Sequence, residues 1–395
     1  MRPAARLQAA IELLDEIIAA ARSGGAAADT IIARWFTTRR YAGSKDRRAV
    51  RELVYRAIRR FGDPPVSGRA AMTALAGEDP ELRVLFDGSP HAPAPLGEEE
   101  GRGAPDAAPI PEWLTSRFDP EIAPQEWPDL LGRAPLDVRV NRLKGSRDEA
   151  LAQLPGAVPT PLSPLGLRLP DGFALEESAA WGPGLVEVQD EGSQLLALAC
   201  GAGPGMTVVD LCAGAGGKTL ALAAEMANRG RLVASDTDRG RLSRMRPRLQ
   251  RAGVTIVEAR LLDPGREREA LGDLAGAADI VLVDAPCSGT GTWRRNPELR
   301  WRLSGERLSR FVSLQAYLLD LAAELVRPGG VLVYAVCSLL KEEGRDQAEA
   351  FAGRSAMVPE PVSMVGGRAA GPGRILSPGK DGTDGFFVAR WRAPC

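Results

Sequence analysis

Two cysteines follow predicted strands in the second half of the chain, and a thiol at such a position can act as a nucleophile. Cys287 lies in the segment DAPCSGTG and Cys337 lies in the segment VYAVCS. A single cysteine at a strand end is more often a small buried apolar residue. Two of them at the carboxyl edge of one sheet, where α/β proteins bind their ligands, indicate thiol chemistry instead.

The residues around these cysteines restrict that chemistry. Asp284 precedes Cys287 by three positions and supplies a carboxylate beside the predicted site. The only histidine is His91, in a proline-rich stretch, so mechanisms that need a histidine base are nearly excluded. None of the 5 cysteines forms a CxxC pair, so the sequence predicts neither a metal site nor a disulfide framework.

A glycine-rich segment, VVDLCAGAGGKT (208–219), predicts a strand, a tight turn and the start of a helix. It is not a Walker A loop or a dinucleotide fingerprint, because Cys212 and Thr219 stand where those motifs need glycine. Free amides at a helix start attract an anion, and the methionine carboxylate of S-adenosylmethionine (SAM) is the natural remaining candidate. The predicted cofactor-binding residues of the turn are Cys212, Ala213, Gly214, Ala215, Gly216, Gly217 and Lys218.

A thiol, a carboxylate and SAM together suit methylation of cytosine at C5. C5 is a poor nucleophile, but addition of a thiolate to C6 pushes electron density onto it, and an acidic group near N3 helps that addition. We expect Asp284 to lie beside both N3 and the sulfonium of SAM. Asp236 ends the strand after the glycine-rich turn, where an acid accepts hydrogen bonds from ribose hydroxyls.

Strands alternate with helices from about residue 180 onward. This pattern predicts an α/β fold with a doubly wound, mostly parallel sheet of the Rossmann-like SAM-methyltransferase type, whose carboxyl edge carries the motifs above. The predicted strands are 206–211, 230–236, 255–260, 279–285 and 329–337, and the predicted helices are 218–227, 238–252 and 306–326.

The chain of 395 residues is long enough for several domains, and its patterns predict four segments. Residues 1–85 predict a helical domain, 86–110 a linker rich in proline, glycine and acids, 111–178 a small α+β module, and 179–395 the catalytic domain. No apolar run of 18 residues and no signal peptide occur, so we expect a cytoplasmic protein without a membrane segment. The sequence carries no signal for an oligomeric state.

Positive charge is concentrated locally although the net charge is −1. Between Arg34 and Arg60 there are ten Lys or Arg residues against two acids. A second basic run contains Arg294, Arg295, Arg300 and Arg302. Such patches can contact phosphates even on a neutral protein, and a solvated helix face is the alternative for each.

The motifs, in their order along the chain, resemble the Sun/Fmu (RsmB-type) family of RNA 5-methylcytosine methyltransferases. The matching segments are VQDEGSQ, DLCAGAGGKT, ASDTD, DAPCSGTGTWRRNPELRW, LVYAVCSLLKEE and TDGFF. The resemblance covers residues 180–395 and implies SAM as the cofactor and RNA as the partner. It also implies that Cys337 is the nucleophile, that Cys287 assists product release, and that Asp284 is shared by cofactor and base. DNA cytosine methyltransferases attack with the other cysteine, so no DNA substrate is expected.

The sequence departs from the family pattern at three places. The cofactor loop usually reads CAAPGGK, and Gly214-Ala215 replaces Ala-Pro here. Val336 replaces the threonine of the usual TCS motif, which removes a hydroxyl beside the nucleophile. The family's acid after the third strand is out of register. Asp263 is its nearest candidate as a cofactor-binding residue, with Glu258 or a backbone contact as alternatives.

The N-terminal region resembles the NusB-like RNA-binding domain of the branch that acts on bacterial small-subunit rRNA. The segment YAGSKDRRAVRELVY carries this similarity. The 111–178 module matches in position a small RNA-binding subdomain of the family. Our hypothesis is therefore methylation of 16S rRNA. A tRNA 5-methylcytosine methyltransferase is the alternative enzyme, and a non-catalytic RNA-binding or ribosome assembly factor is the alternative of a different class.

Overall fold

The computed structural model describes residues 1–98, 100 and 108–395, and the chain divides into two compact units. The helical unit comprises Met1–Ser116 and Arg295–Ser304, and the larger unit comprises Arg117–Arg294 and Gly305–Cys395. Within the described ranges, none of the helices is long and apolar enough to cross a membrane.

The helical unit is built on amphipathic helices, as the spacing of apolar residues predicts. Leu7, Leu14 and Ile18 lie on one face of the first helix and are buried in the core of the unit. Gly24, in a left-handed conformation (φ +72°), ends that helix. The helices are α1 (Pro3–Ser23), α2 (Ala28–Thr37), α3 (Ser44–Arg60), α4 (Gly68–Glu78), α5 (Pro80–Arg83) and α6 (Glu112–Thr115).

A small antiparallel sheet begins the larger unit. Its strands follow the order β2-β3-β1-β4, and Val138, Val140 and Leu167 lie in its apolar core. The elements are α7 (Trp127–Leu131), β1 (Leu136–Val140), α8 (Arg147–Gln153), β2 (Val158–Pro159), β3 (Gly166–Leu169) and β4 (Val186–Val188). We call this part of the larger unit the α+β module.

A second sheet forms the centre of the larger unit. Its strands follow the order β11-β12-β13-β9-β8-β5-β6-β7, with β10 paired to β13. The first elements are α9 (Glu191–Ala199), β5 (Thr207–Asp210), α10 (Gly217–Glu225), β6 (Arg231–Asp236), α11 (Arg239–Ala252), β7 (Val257–Leu261), α12 (Glu267–Ala270), β8 (Ala278–Asp284), α13 (Leu299–Arg302), α14 (Gly305–Leu325) and β9 (Val326–Val336). The last elements are α15 (Arg345–Arg354), β10 (Val358–Glu360), β11 (Arg368–Ala370), β12 (Gly373–Leu376), α16 (Pro378–Asp381) and β13 (Phe386–Arg392).

The predicted Rossmann-like sheet is confirmed. Strands β7, β6, β5, β8 and β9 are parallel, and each lies within two or three residues of a predicted strand. The carboxyl ends of β5, β6, β8 and β9 therefore meet at one edge, where the predicted site residues follow them. The antiparallel strands β10 to β13, which extend the sheet beyond β9, were not predicted from the sequence.

The division into units differs from the four predicted segments in three respects. Strand β4 pairs with β1, so the sheet of the module continues past residue 178. At the described ends of the predicted linker, Phe86 and Ile110 are buried, and Gly62 N donates a hydrogen bond to Ala108 O. Residues 99 and 101–107 of that linker lie outside the described residues. Arg295–Ser304 belongs to the helical unit, although residues 295–301 are part of the DAPCSGTGTWRRNPELRW motif that contains Cys287.

Helix α13 is part of the core of the helical unit. Trp301 is buried there, and its Nε1 donates a hydrogen bond to Phe61 O (2.8 Å) just after the end of α3. Arg300 donates to Ile58 O and Phe61 O, and Arg302 donates to Gly25 O and Ala26 O. Terminal carbonyls of a helix need such donors, and cations are favourable at that end.

Removing the Trp301 side chain should therefore destabilise the helical unit. Truncation of a buried tryptophan leaves a cavity and removes one of the two donors to Phe61 O, so Trp301→Ala should lower the free energy of unfolding by about 3 kcal/mol or more. Hydrogen exchange of α1 and α3 peptides, with chemical denaturation, measures this. Tyr41→Ala is the matched control, since Tyr41 is 70% exposed in the same unit and its loss should change little. Equal exchange in both variants would contradict the placement of α13 in this core.

Candidate active site

The two predicted cysteines lie next to each other. Cys287 follows β8, Cys337 follows β9, and their Sγ atoms are 3.3 Å apart, within hydrogen-bond distance. Both side chains are partly exposed. The hydrogen bond with Cys337, followed by burial, raises the pKa of Cys287 well above the ordinary thiol value. Cys287 therefore remains a thiol at neutral pH and can donate to the sulfur of Cys337.

A buried carboxylate joins the loops that carry the two cysteines. Glu343 is fully buried, and its Oε2 accepts hydrogen bonds from the hydroxyls of Ser288 and Ser338 (2.6 Å for Ser338), which directly follow the cysteines. Its Oε1 accepts from Ser288 N (2.8 Å) and from Gln315 Nε2 (3.1 Å). Burial raises the pKa of Glu343, and the four donors oppose that shift. These hydrogen bonds fix the position of the two cysteine loops relative to each other.

Close backbone contacts also fix the relative position of the two cysteine loops. Gly291 N donates to Cys337 O (3.0 Å), and Gly385 N donates to Gly291 O (2.8 Å). A Cβ on Gly291 would lie 2.0 Å from Gly385 O, so only glycine allows this approach. The Cys287 loop is thus held between the Cys337 loop and the TDGFF segment.

A buried ion triad joins three of the sequence motifs. Arg294 lies between Asp190 and Asp384, with Nη2 3.0 Å from the first carboxylate and Nε 2.5 Å from the second. The three side chains are between 4% and 6% exposed, so each charge depends on its partners rather than on water. Asp190 belongs to VQDEGSQ, Arg294 to the Cys287 motif and Asp384 to TDGFF, so the triad holds these three segments together.

Lys218 and Asp284 form an ion pair beside the thiols. Lys218 Nζ lies 2.6 Å from Asp284 Oδ2, and the lysine side chain is 9% exposed. Burial opposes the charge on Lys218, but Asp284, with a further contribution from Cys337, raises the pKa of the lysine above its usual value. Among the described residues, Oδ1 of Asp284 has no hydrogen-bond partner. The ammonium therefore stays charged near Cys337, and one carboxylate oxygen of Asp284 remains available to a ligand.

The predicted cofactor loop has the shape that an anionic ligand requires. Gly216, at φ +84°, precedes α10, and no side chain caps that helix, so amides of its first turn are available. A Cβ placed on Gly214 or Gly217 would meet no atom within 4 Å, so the loop borders open space. Gly214 adopts φ +56°, a conformation that glycine permits in place of the usual alanine. The loop and the acids around it fit SAM.

The predicted ribose acid lies at the same edge. Oδ2 of Asp236 accepts a hydrogen bond from Gly214 N (2.8 Å), and Oδ1 accepts from Asp238 N (2.8 Å). Asp263 is exposed two residues after β7, which pairs with β6. Glu258 lies inside β7, and its carboxylate is engaged in ion pairs with Arg231 and Arg260. The roles of Asp236 and Asp263 toward a cofactor stay predictions.

Cys200 and Cys212 are poor nucleophiles, and most of the second basic run is engaged within the protein. Burial raises the pKa of Cys200 to about 12 and holds the pKa of Cys212 well above its usual value. The basic run was predicted as a possible phosphate contact, and this interpretation is wrong for three of its residues. Arg294 is buried in the ion triad, while Arg300 and Arg302 donate to backbone carbonyls of the helical unit.

Comparison with known proteins identifies the fold that carries this site. Residues 197–392 match the family described as 16S rRNA methyltransferase RsmB/F. Residues 197–392 belong to this family. It is 35% identical over 288 residues to the ribosomal RNA small subunit methyltransferase B of Klebsiella pneumoniae (strain 342), covering 71% of this chain and 65% of that protein. The chain thus spans about 65% of the length of this curated relative.

Two solved structures agree with the architecture. The crystal structure of PH0851 has a TM-score of 0.75 at 24% identity and covers 99% of both chains. NSun6 from Pyrococcus horikoshii, solved with SFG, has a TM-score of 0.64 at 22% identity and covers 71% of this chain and 96% of that one. SFG is a SAM analogue. The family and the fold confirm the predicted resemblance and SAM as the cofactor.

Two contacts of this RsmB/F site were not predicted. Lys218 was assigned only to the cofactor loop, and its ion pair with Asp284 depends on how α10 packs beside β8. Glu343 lies in the quoted LLKEE motif, but its role was not inferred. A buried acid shortly after a strand-end cysteine, with serines following both cysteines, is the signal that could have indicated it.

Glu343 should be needed for turnover rather than for folding alone. Glu343→Ala removes the acceptor shared by Ser288 and Ser338, so the relative position of the two sulfur atoms is no longer fixed. Displacement of a reacting group by about 1 Å can lower kcat about 100-fold. Glu343→Gln keeps one acceptor oxygen and should retain most of the activity. Transfer of labelled methyl groups from SAM to RNA, normalised to folded protein, measures this.

Glu126→Ala is the matched control for this prediction. Glu126 is also a buried carboxylate of the larger unit, and it accepts hydrogen bonds from Arg368 and Ser377. Its loss should lower stability but leave turnover per folded molecule intact. If both alanine variants kept wild-type turnover per folded molecule, Glu343 would be a structural residue only.

Proposed function

We propose that this RsmB/F protein methylates C5 of cytosine in RNA, with SAM as the methyl donor and 16S rRNA as the substrate. The observation that carries the proposal is the contact between the sulfurs of Cys287 and Cys337 at 3.3 Å, beside the Lys218–Asp284 pair and the open glycine loop. Two thiols in contact at a cofactor edge suit a reaction in which one attacks and the other returns a proton.

The environments of the two thiols support a division of roles. The raised pKa of Cys287, caused first by its hydrogen bond with Cys337, makes it unsuited to attack as a thiolate. Cys337 can accept a hydrogen bond from Cys287 across the 3.3 Å contact, and the charge of the Lys218 ammonium interacts with it. We therefore assign Cys337 as the nucleophile and Lys218 as the cation that stabilises its thiolate.

The first half of the reaction forms a covalent bond between protein and RNA. Cys337 Sγ donates an electron pair to C6 of cytosine, and the electrons of the C5=C6 double bond shift to make C5 nucleophilic. Asp284 Oδ1, which is not engaged by Lys218, is available to the N3 side of the base. SAM, when bound, supplies the methyl group as an electrophile.

The second half releases the product. A base takes the remaining proton from C5, and the electrons of that C–H bond restore the C5=C6 double bond. The electrons of the S–C6 bond leave with the sulfur of Cys337. Cys287 can then donate its proton across the 3.3 Å contact, which regenerates a neutral Cys337 and favours release.

The choice of rRNA is supported by relatives and by the helical unit. The curated relative above is named a ribosomal RNA small subunit methyltransferase B. In the helical unit, Arg40, Lys45, Arg48 and Arg51 of the basic stretch are exposed, and no described residue forms an ion pair with them. We assign this stretch to contacts with RNA phosphates.

Bisulfite sequencing tests the proposed substrate. The protein is incubated with SAM and with unmodified 16S rRNA, 23S rRNA or tRNA, and protected cytosines are mapped. We expect protection at one or a few cytosines of 16S rRNA and none with Cys337→Ala. Protection of tRNA alone would replace rRNA by tRNA as substrate. Tight RNA binding without any protected cytosine, together with no SAM affinity by calorimetry, would favour a non-catalytic assembly factor.

A further inference from the structure

Helix α11 of the larger unit carries an unusual concentration of positive charge. Within its 14 residues there are six arginines and no acidic residue. These arginines are Arg239, Arg241, Arg244, Arg246, Arg248 and Arg251. Because the chain as a whole has a net charge of −1, this helix is a local feature rather than a reflection of composition.

The C-terminal half of α11 uses its arginines inside the larger unit. Arg248 donates to Ala215 O of the cofactor loop (2.7 Å) and lies 3.2 Å from Glu187 of the α+β module. Arg251 binds the same carboxylate at 2.5 Å and stacks on Trp181 at 3.5 Å. This half of the helix therefore connects the cofactor loop to the module.

The N-terminal half presents its arginines to solvent. Arg239, Arg244 and Arg246 are exposed and form no hydrogen bond or ion pair with any described residue. Arg241 is also exposed and lies 3.7 Å from Asp238. We call these four residues the α11 arginine face. Three other exposed arginines of the larger unit do have carboxylate partners, in the pairs Arg266–Glu269, Arg268–Glu324 and Arg310–Glu306.

Helix stability does not account for the α11 arginine face. Arg239 and Arg241 occupy the first turn, where the positive end of the helix dipole repels cations. Arg241 and Arg244 are three positions apart, so they repel each other. A solvated helix normally alternates charges of opposite sign. An anionic partner would remove both repulsions.

We propose that the α11 arginine face binds the phosphate backbone of the RNA substrate. This inference rests on the proposed function and names the surface that holds the RNA beside the cofactor loop. Guanidinium groups match phosphate oxygens in geometry and stay charged at every physiological pH. Arg248 of the same helix binds the cofactor loop at Ala215. An RNA strand bound to the N-terminal half of α11 therefore lies close to the methylation site.

RNA is favoured over an acidic protein by this location. The face shares a helix with contacts to the cofactor loop and to the module, and the substrate must approach both for catalysis. A partner protein bound there would lie where the substrate has to pass. An acidic polypeptide is therefore an outcome of the test below and not part of the proposal.

The test measures RNA affinity as a function of salt. The variant R239Q/R244Q/R246Q should bind 16S rRNA fragments at least about tenfold more weakly, with the slope of log affinity against log salt reduced by about 2 to 3, since each phosphate contact contributes roughly 0.7 to 0.9. The variant R239K/R244K/R246K keeps the charges and should retain most of the slope. Calorimetric SAM affinity should be unchanged in both.

The matched control removes the same charge elsewhere. R266Q/R268Q/R310Q replaces three exposed arginines of the same unit and should leave affinity and salt slope close to wild type. Equal slopes for wild type and R239Q/R244Q/R246Q would overturn the inference, as would equal losses in the two glutamine triples. Loss of binding to polyglutamate with unchanged RNA binding would also overturn it. Bisulfite mapping of wild-type RNA tests the proposed function separately, because binding is measured without turnover.

Discussion

The site depends on a single buried carboxylate that serves two loops at once. Glu343 accepts hydrogen bonds from the residues that directly follow Cys287 and Cys337, and these bonds fix how far apart the two sulfurs lie. A buried acid is unfavourable by itself, and four donors make this one tolerable. The four hydrogen bonds therefore keep both cysteine loops in the same arrangement, and the proposed proton transfer between the thiols depends on that arrangement.

Contacts of the other motifs hold the Cys287 loop to further segments of the larger unit. Arg294, between Asp190 and Asp384, holds the end of the Cys287 loop to the start of α9 and to the strand that precedes the C-terminus. The contact between Gly291 and Gly385 closes the remaining gap between these segments. Residues almost two hundred positions apart are thus parts of one rigid frame. Lys218 and Asp284 lie within this frame, which gives the thiols a charged neighbour that no histidine supplies.

Much of this could be predicted from the sequence because the signals are local. Alternating strands and helices fixed the parallel sheet, and strand ends placed Cys287, Cys337, Asp236 and the glycine loop at one edge. The features that were predicted wrongly or not at all depend on contacts between residues far apart in sequence. Arg300 and Arg302 were predicted as part of a surface patch, but they donate to backbone carbonyls of the helical unit, and a charge count cannot distinguish a solvated arginine from one that binds carbonyls. Likewise, the role of Glu343 depends on which hydroxyls fold against it.

The most direct test of the account identifies the cysteine that bonds to the base. In Cys287→Ala the attacking thiol remains but the proton donor for release is lost, so a covalent protein–RNA adduct should accumulate in the presence of SAM and RNA. Digestion and mass spectrometry then locate the nucleotide on a peptide. We expect the adduct on Cys337 in Cys287→Ala and no adduct in Cys337→Ala. An adduct on Cys287 in Cys337→Ala, with none in Cys287→Ala, would reverse the assigned roles of the two cysteines.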